Sequence, residues 1–134
     1  MKRISLFMMV ALIAISTAVF SQSKNKSVEV LYFKAKQCAC KSMTCNALED
    51  QIKALIEKDF SGEIIEFKRV WLNEKENEAL IAKYNAESQT VVMVTTKKNK
   101  ETVTDLTEVV HKFSLDRNQE EFENGMKSMI AENL

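Results

Sequence analysis

The chain is poor in residues that mark several common chemistries. It has only two glycines, so it contains no Gly-rich loop of the kind that cradles phosphates. It has one histidine, His111, which cannot furnish a Ser/His/Asp arrangement elsewhere in the chain and reads as a surface or packing residue. Neither charge sign is in surplus: 19 Lys plus Arg face 19 Asp plus Glu, so the even basic field that a nucleic acid backbone attracts is missing. Nucleic acid is therefore not an expected partner. There is no internal repeat, low-complexity tract or linker, and the only long apolar run lies at the N-terminus. What remains is the composition of one ordinary domain, with 46% hydrophobic and 28% charged residues in 134.

The N-terminus begins with Lys2 and Arg3, continues through an apolar run from Ile4 to Phe20, and places the small residues Val19 and Ser21 before Gln22. That three-part order predicts a signal peptide over 1–21 with cleavage between Ser21 and Gln22, and hence a periplasmic or secreted protein with no membrane span after cleavage. The alternative is a retained anchor, since a spanning helix needs about 20 apolar residues. The polar residues 22–27, a short tether, favour cleavage. No cysteine stands at the cut, which argues against a lipid anchor. Without Lys2 and Arg3 the mature chain is slightly acidic. A monomeric domain is expected over 28–134.

Within it, Val28-Glu29-Val30-Leu31-Tyr32-Phe33 is apolar on both faces and predicts a central strand covered by helices. A helix is expected from about Thr44 to Asp59, with Cys45, Leu48, Ile52, Leu55 and Ile56 as its buried stripe. Glu49, Asp50, Lys53, Glu57 and Lys58 are assigned to solvent, and Gly62 to a left-handed helix end. Glu63 to Trp71 reads as a second strand. Asn73 with Glu76 predicts a capping box for a helix to about Ala86. Thr90 to Thr95 is the third strand, and Lys97-Lys98-Asn99-Lys100 a hairpin turn into Glu101 to Thr104. Asp105 with Glu108 caps a brief helix, and Asp116 with Gln119 a last helix striped by Phe122, Met126, Met129 and Ile130. Strands alternating with helices, closed by a hairpin and helix, predict an α/β fold. Its core would be a mixed four-stranded sheet with helices on both faces, in the order β-α-β-α-β-β-α.

All three cysteines, Cys38, Cys40 and Cys45, lie between the first strand and the body of the first helix. This order resembles the thioredoxin-like fold. Leu31-Tyr32-Phe33, Cys45-Asn46-Ala47-Leu48-Glu49, Asn77-Glu78 and Asp105-Leu106 resemble, more narrowly, exported thioredoxin-like proteins of the nitrophenyl compound nitroreductase subunit ArsF family. The resemblance spans the mature chain and implies an attacking cysteine at Cys38 and a resolving one at Cys45, with Cys40 as relay or replacement. Six residues rather than two separate Cys38 from Cys45, and Ser42 stands three before Cys45. Thioredoxin-like oxidoreductases also share a cis-proline before the third strand. This chain has no proline, Gln89 stands in that place, and a cis bond there would cost about 2.5–4 kcal/mol, so a trans bond is expected.

Three chemistries fit the cysteines. Thiol–disulfide exchange would make the domain an oxidoreductase acting on protein thiols and disulfides or on an exported partner; Lys36 and Lys41 are close enough in sequence to favour a thiolate. Soft-ion binding would use Cys38, Cys40 and Cys45 as metal ligands for copper(I) or an arsenite-type metalloid, with Met43 as a weak contact. A structural disulfide would leave a non-catalytic accessory domain with no cofactor, and outside the cytoplasm such bonds persist. An odd count of three leaves one thiol over. Tyr32, Trp71 and Tyr84 read as core or groove-rim residues.

Overall fold

The computed structural model describes residues 26–36 and 39–134, with side chains for 26–36 and 44–134. The stretch expected to be a signal peptide, the expected tether up to residue 25 and Cys38 lie outside the described residues, as do the side chains of Cys40, Lys41, Ser42 and Met43.

β1 (Lys26–Lys34) is the central strand. It pairs in parallel with β2 (Ile65–Trp71) and antiparallel with β3 (Val91–Lys97), and β3 pairs antiparallel with β4 (Lys100–Asp105). The sheet order is therefore β2-β1-β3-β4. The expected mixed four-stranded sheet is present. β1 starts earlier than its apolar run, because Lys26 and Ser27 pair with Lys97 and Thr96. At the hairpin, Lys98 and Asn99 both take positive φ, 49° and 65°, the pattern of a two-residue turn whose twist matches that of its strands.

The alternation in β1 sends Val28, Val30 and Tyr32 to one face and Leu31 and Phe33 to the other. The first face is covered by three helices: α1 (Ala39–Asp59), α3 (Thr107–Asp116) and α4 (Gln119–Glu132). There Leu48, Ile52, Leu55 and Ile56 pack with Val110, Phe113, Phe122, Met126 and Ile130. Each such side chain contributes about 1.5–3 kcal/mol by leaving water. Among the described residues the second face is covered by α2 (Glu78–Tyr84) alone, with Leu80, Ile81 and Tyr84 over Leu31, Phe33, Val70, Val92 and Val94.

Local signals moved where tertiary partners outbid them. Asn73 and Glu76 form no capping box; a 3₁₀ turn (Lys75–Asn77) precedes α2, and Asn77 turns back to donate to the Trp71 carbonyl at 2.9 Å. The cap of α4 is Asn118, which accepts from the Glu121 N–H, rather than Asp116. Asp105 does accept from the first N–H of α3, that of Thr107, at 2.8 Å. Gly62 is not left-handed, and the chain leaves α1 through a turn in which the Glu63 N–H donates to the Phe60 carbonyl.

Among the described residues no helix is long and apolar enough to cross a membrane.

Candidate functional site

α1 begins at Ala39, five residues before the expected start. Cys40 is thus in its first turn, where backbone N–H groups lack helical partners, and Cys45 lies well inside the helix. Cys45 is a free thiol, 1% exposed, on the stripe that faces the sheet.

Two groups from separate elements converge on it. Tyr32, fully buried in β1, donates its hydroxyl to the Cys45 carbonyl at 3.2 Å. Burial first, and then the neighbouring Cys45 and Glu49, hold this phenol well above its ordinary pKa, so it stays a donor. Gln89 arrives from the loop before β3 and donates its Nε2–H to the Cys45 sulfur at 3.4 Å. Its backbone is tied to the end of β1, Gln89 N–H to the Phe33 carbonyl and Phe33 N–H to the Thr90 carbonyl, each at 2.9 Å. Gln89 holds φ at 70°, a left-handed conformation that a side chain disfavours by about 1 kcal/mol or more. No cis peptide bond occurs among the described residues.

Beside this thiol stands a charged cluster of Glu49, Lys34, Lys53 and Arg69, of which helix periodicity assigns Glu49 and Lys53 to water. Glu49, one helical turn after Cys45, is 1% exposed. Its carboxylate accepts from Arg69 Nε at 2.9 Å and Nη2 at 2.6 Å, and from Lys34 Nζ at 3.0 Å, and it pairs with Lys53 Nζ at 3.1 Å. Burial by itself would raise the Glu49 pKa; the hydrogen bonds from Arg69, Lys34 and Lys53 outweigh it and hold the carboxyl at about 2. Lys34, 3% exposed, also donates to the Asn46 side-chain oxygen. The Trp71 ring lies 5.5 Å from Lys34 Nζ and 5.5 Å from the Arg69 guanidinium.

The strand register explains why these residues meet. Arg69 pairs with Tyr32 and Trp71 with Lys34 at the carboxyl ends of the parallel strands, where α1 starts. A signal existed in the sequence: Lys34 continues the alternation of Val28, Val30 and Tyr32, which points it beneath α1.

Of the sequence-predicted site residues, the structure places Cys45 beneath Gln89 and Tyr32, while the Cys38 and Cys40 thiols lie outside the described residues. Lys36 is exposed, and so is His111. Among the described residues no group of three or more metal-ligating side chains converges. No family model matches the chain, and no curated protein or solved structure matches it significantly.

Proposed function

We propose that this is an exported thioredoxin-like domain that carries out thiol–disulfide exchange through Cys38, Cys40 and Cys45. The observation that carries the reading is the Cys45 sulfur, buried on α1 and met by a side chain from the loop that leads into β3. A parallel β1–β2 pair extended by the antiparallel β3–β4 hairpin, with helices on both faces, agrees with such a fold. Cys40, in the first turn of α1, or Cys38, two positions earlier in the sequence, is the attacking thiol, since the partial positive charge of a helix N-terminus favours thiolate. Its sulfur attacks a substrate disulfide, forms a mixed disulfide and releases one substrate thiol. Cys45 then attacks the protein sulfur and releases the second. From Cys40 this step requires the first turn of α1 to unwind, because five residues of one helix separate Cys40 from Cys45 by a rise of about 7.5 Å, beyond disulfide reach. One substrate disulfide becomes two thiols, and two protein thiols become one disulfide. Burial delays Cys45 until the mixed disulfide brings a sulfur to it, and the Gln89 amide N–H steadies the charge that develops on Cys45.

Thiol counting tests this. The purified mature protein is expected to show one free thiol when oxidised and three after mild reduction. Three thiols at the outset, all protected by copper(I) or arsenite, would replace exchange with soft-ion binding at the same cysteines. A bond that resists mild reductant, without ion protection, would make it structural and the domain an accessory module.

A further inference from the structure

Around Glu49 the charges do not balance. Lys34, Lys53 and Arg69 converge on its single carboxylate, and the other carboxylate acting on Arg69, that of Asp50, is exposed. The corner therefore keeps an excess positive charge, with exposed Lys36 two residues beyond Lys34. Lys34 is sealed inside, but the side chains of Arg69 and Lys53 are 41% and 39% exposed. Glu49 engages the Nε and Nη2 of Arg69, and a guanidinium carries a further amino group able to grip a second carboxylate. Trp71, partly exposed, supplies a flat apolar wall against the same guanidinium. The buried Glu49 fixes these cations in place before any ligand arrives, which removes much of the ordering cost of binding. Glu49 lies one helical turn from Cys45 and Lys53 two, while Lys34, Arg69 and Trp71 stand at the carboxyl ends of β1 and β2.

We infer that the substrate disulfide is anionic: Arg69 and Lys53, framed by Glu49 and Trp71, seat a carboxylate carried beside the disulfide bond. This rests on the exchange reading above for the reaction, but the seat itself needs no thiol chemistry. Electrostatic attraction of this kind raises association rates by about tenfold or more and fades with salt.

Two measurements on the mature protein separate the claims. The first titrates the reduced protein with thiodiglycolate, a dicarboxylate thioether that cannot exchange, against uncharged thiodiethanol. Trp71 is the only tryptophan in the chain, so its fluorescence reports on the seat. The dicarboxylate is expected to change the emission saturably and thiodiethanol is not; the change should weaken severalfold in Lys53→Gln, which leaves Glu49 paired with Lys34 and Arg69, and vanish in Arg69→Gln. Circular dichroism of both variants checks that they fold. The second compares exchange rates with dithiodiglycolate, hydroxyethyl disulfide and cystamine, which carry negative, zero and positive charge. The rates should fall in that order, about tenfold from first to last in low salt, and converge in high salt. A saturable Trp71 response without exchange on any probe keeps the anion seat and removes the exchange reading. Equal rates on all three, with no Trp71 response, keep exchange and overturn the anionic substrate.

Discussion

The body of the domain and the corner where α1 begins are held by different forces. In the body, the C-terminal half of α1 lays Ile52, Leu55 and Ile56 onto Val28 and Val30 and against α3 and α4, and hydrocarbon meets hydrocarbon throughout. At the corner, the same helix meets Tyr32 and Gln89 and buries its own Glu49 carboxylate among three cations, Lys34 from β1, Arg69 from β2 and its own Lys53. Hydrophobic packing tolerates substitution in proportion to the volume lost, whereas a buried ion set fails abruptly when one member leaves, because its partners keep their desolvation cost without their attraction. The body thus supplies stability, and the corner supplies fixed polar geometry beside a thiol.

The strongest way to break this contrast is Glu49→Ala. It leaves Lys34 buried without its carboxylate and is expected to cost about 3–5 kcal/mol in urea unfolding. Glu49→Gln, which keeps the volume and one acceptor oxygen, should cost less. If both substitutions moved the midpoint no more than an exposed change such as Glu57→Ala, the ion set would be ornamental.

Acid sharpens the contrast with a somewhat smaller effect. The Glu49 carboxyl lies at about 2 in the folded protein, below its ordinary value of 4.5, so the unfolded state takes up the proton first. The stabilisation it provides is complete above pH 4.5 and is lost as pH falls toward 2. The loss is about 2–3 kcal/mol, moderated by salt because Arg69 and Lys53 are partly exposed. Unfolding measured between pH 5 and pH 2 should show this slope in the wild type and a shallower one in Glu49→Gln.

The smallest expected effect belongs to the body. Asn118→Ala removes the side chain that accepts from the Glu121 N–H at the start of α4 and should cost about 1 kcal/mol, equally at pH 5 and pH 7. A pH-dependent loss there would blur the distinction between the two regions.

Periodicity made much of the body legible. The stripe Cys45, Leu48, Ile52, Leu55 and Ile56 is buried throughout, as are Phe122, Met126 and Ile130, and β1 is apolar on both faces because it sits inside the sheet. Helix ends were less legible. Asp116 and Asn118 both offer capping oxygens, and only the path of the chain through left-handed Arg117, φ 57°, decides that Asn118 is the cap. Glu49 was misread for a related reason. A polar residue next to a helix stripe is normally solvated, and what turns it inward is a set of cations from β1, β2 and its own helix.

By itself, the sequence determined the alternation of strands and helices, many of the residues that form both cores and the grouping of three cysteines within eight residues after the first strand, because side-chain periodicity and chain order are local properties. Only the tertiary structure decided that Gln89 reaches the Cys45 sulfur and that Glu49 leaves water for Lys34 and Arg69. Those contacts join residues 44, 15 and 20 positions apart. Their existence depends on the pairing register of β1 with β2 and on the loop that carries the chain into β3, which no local pattern specifies.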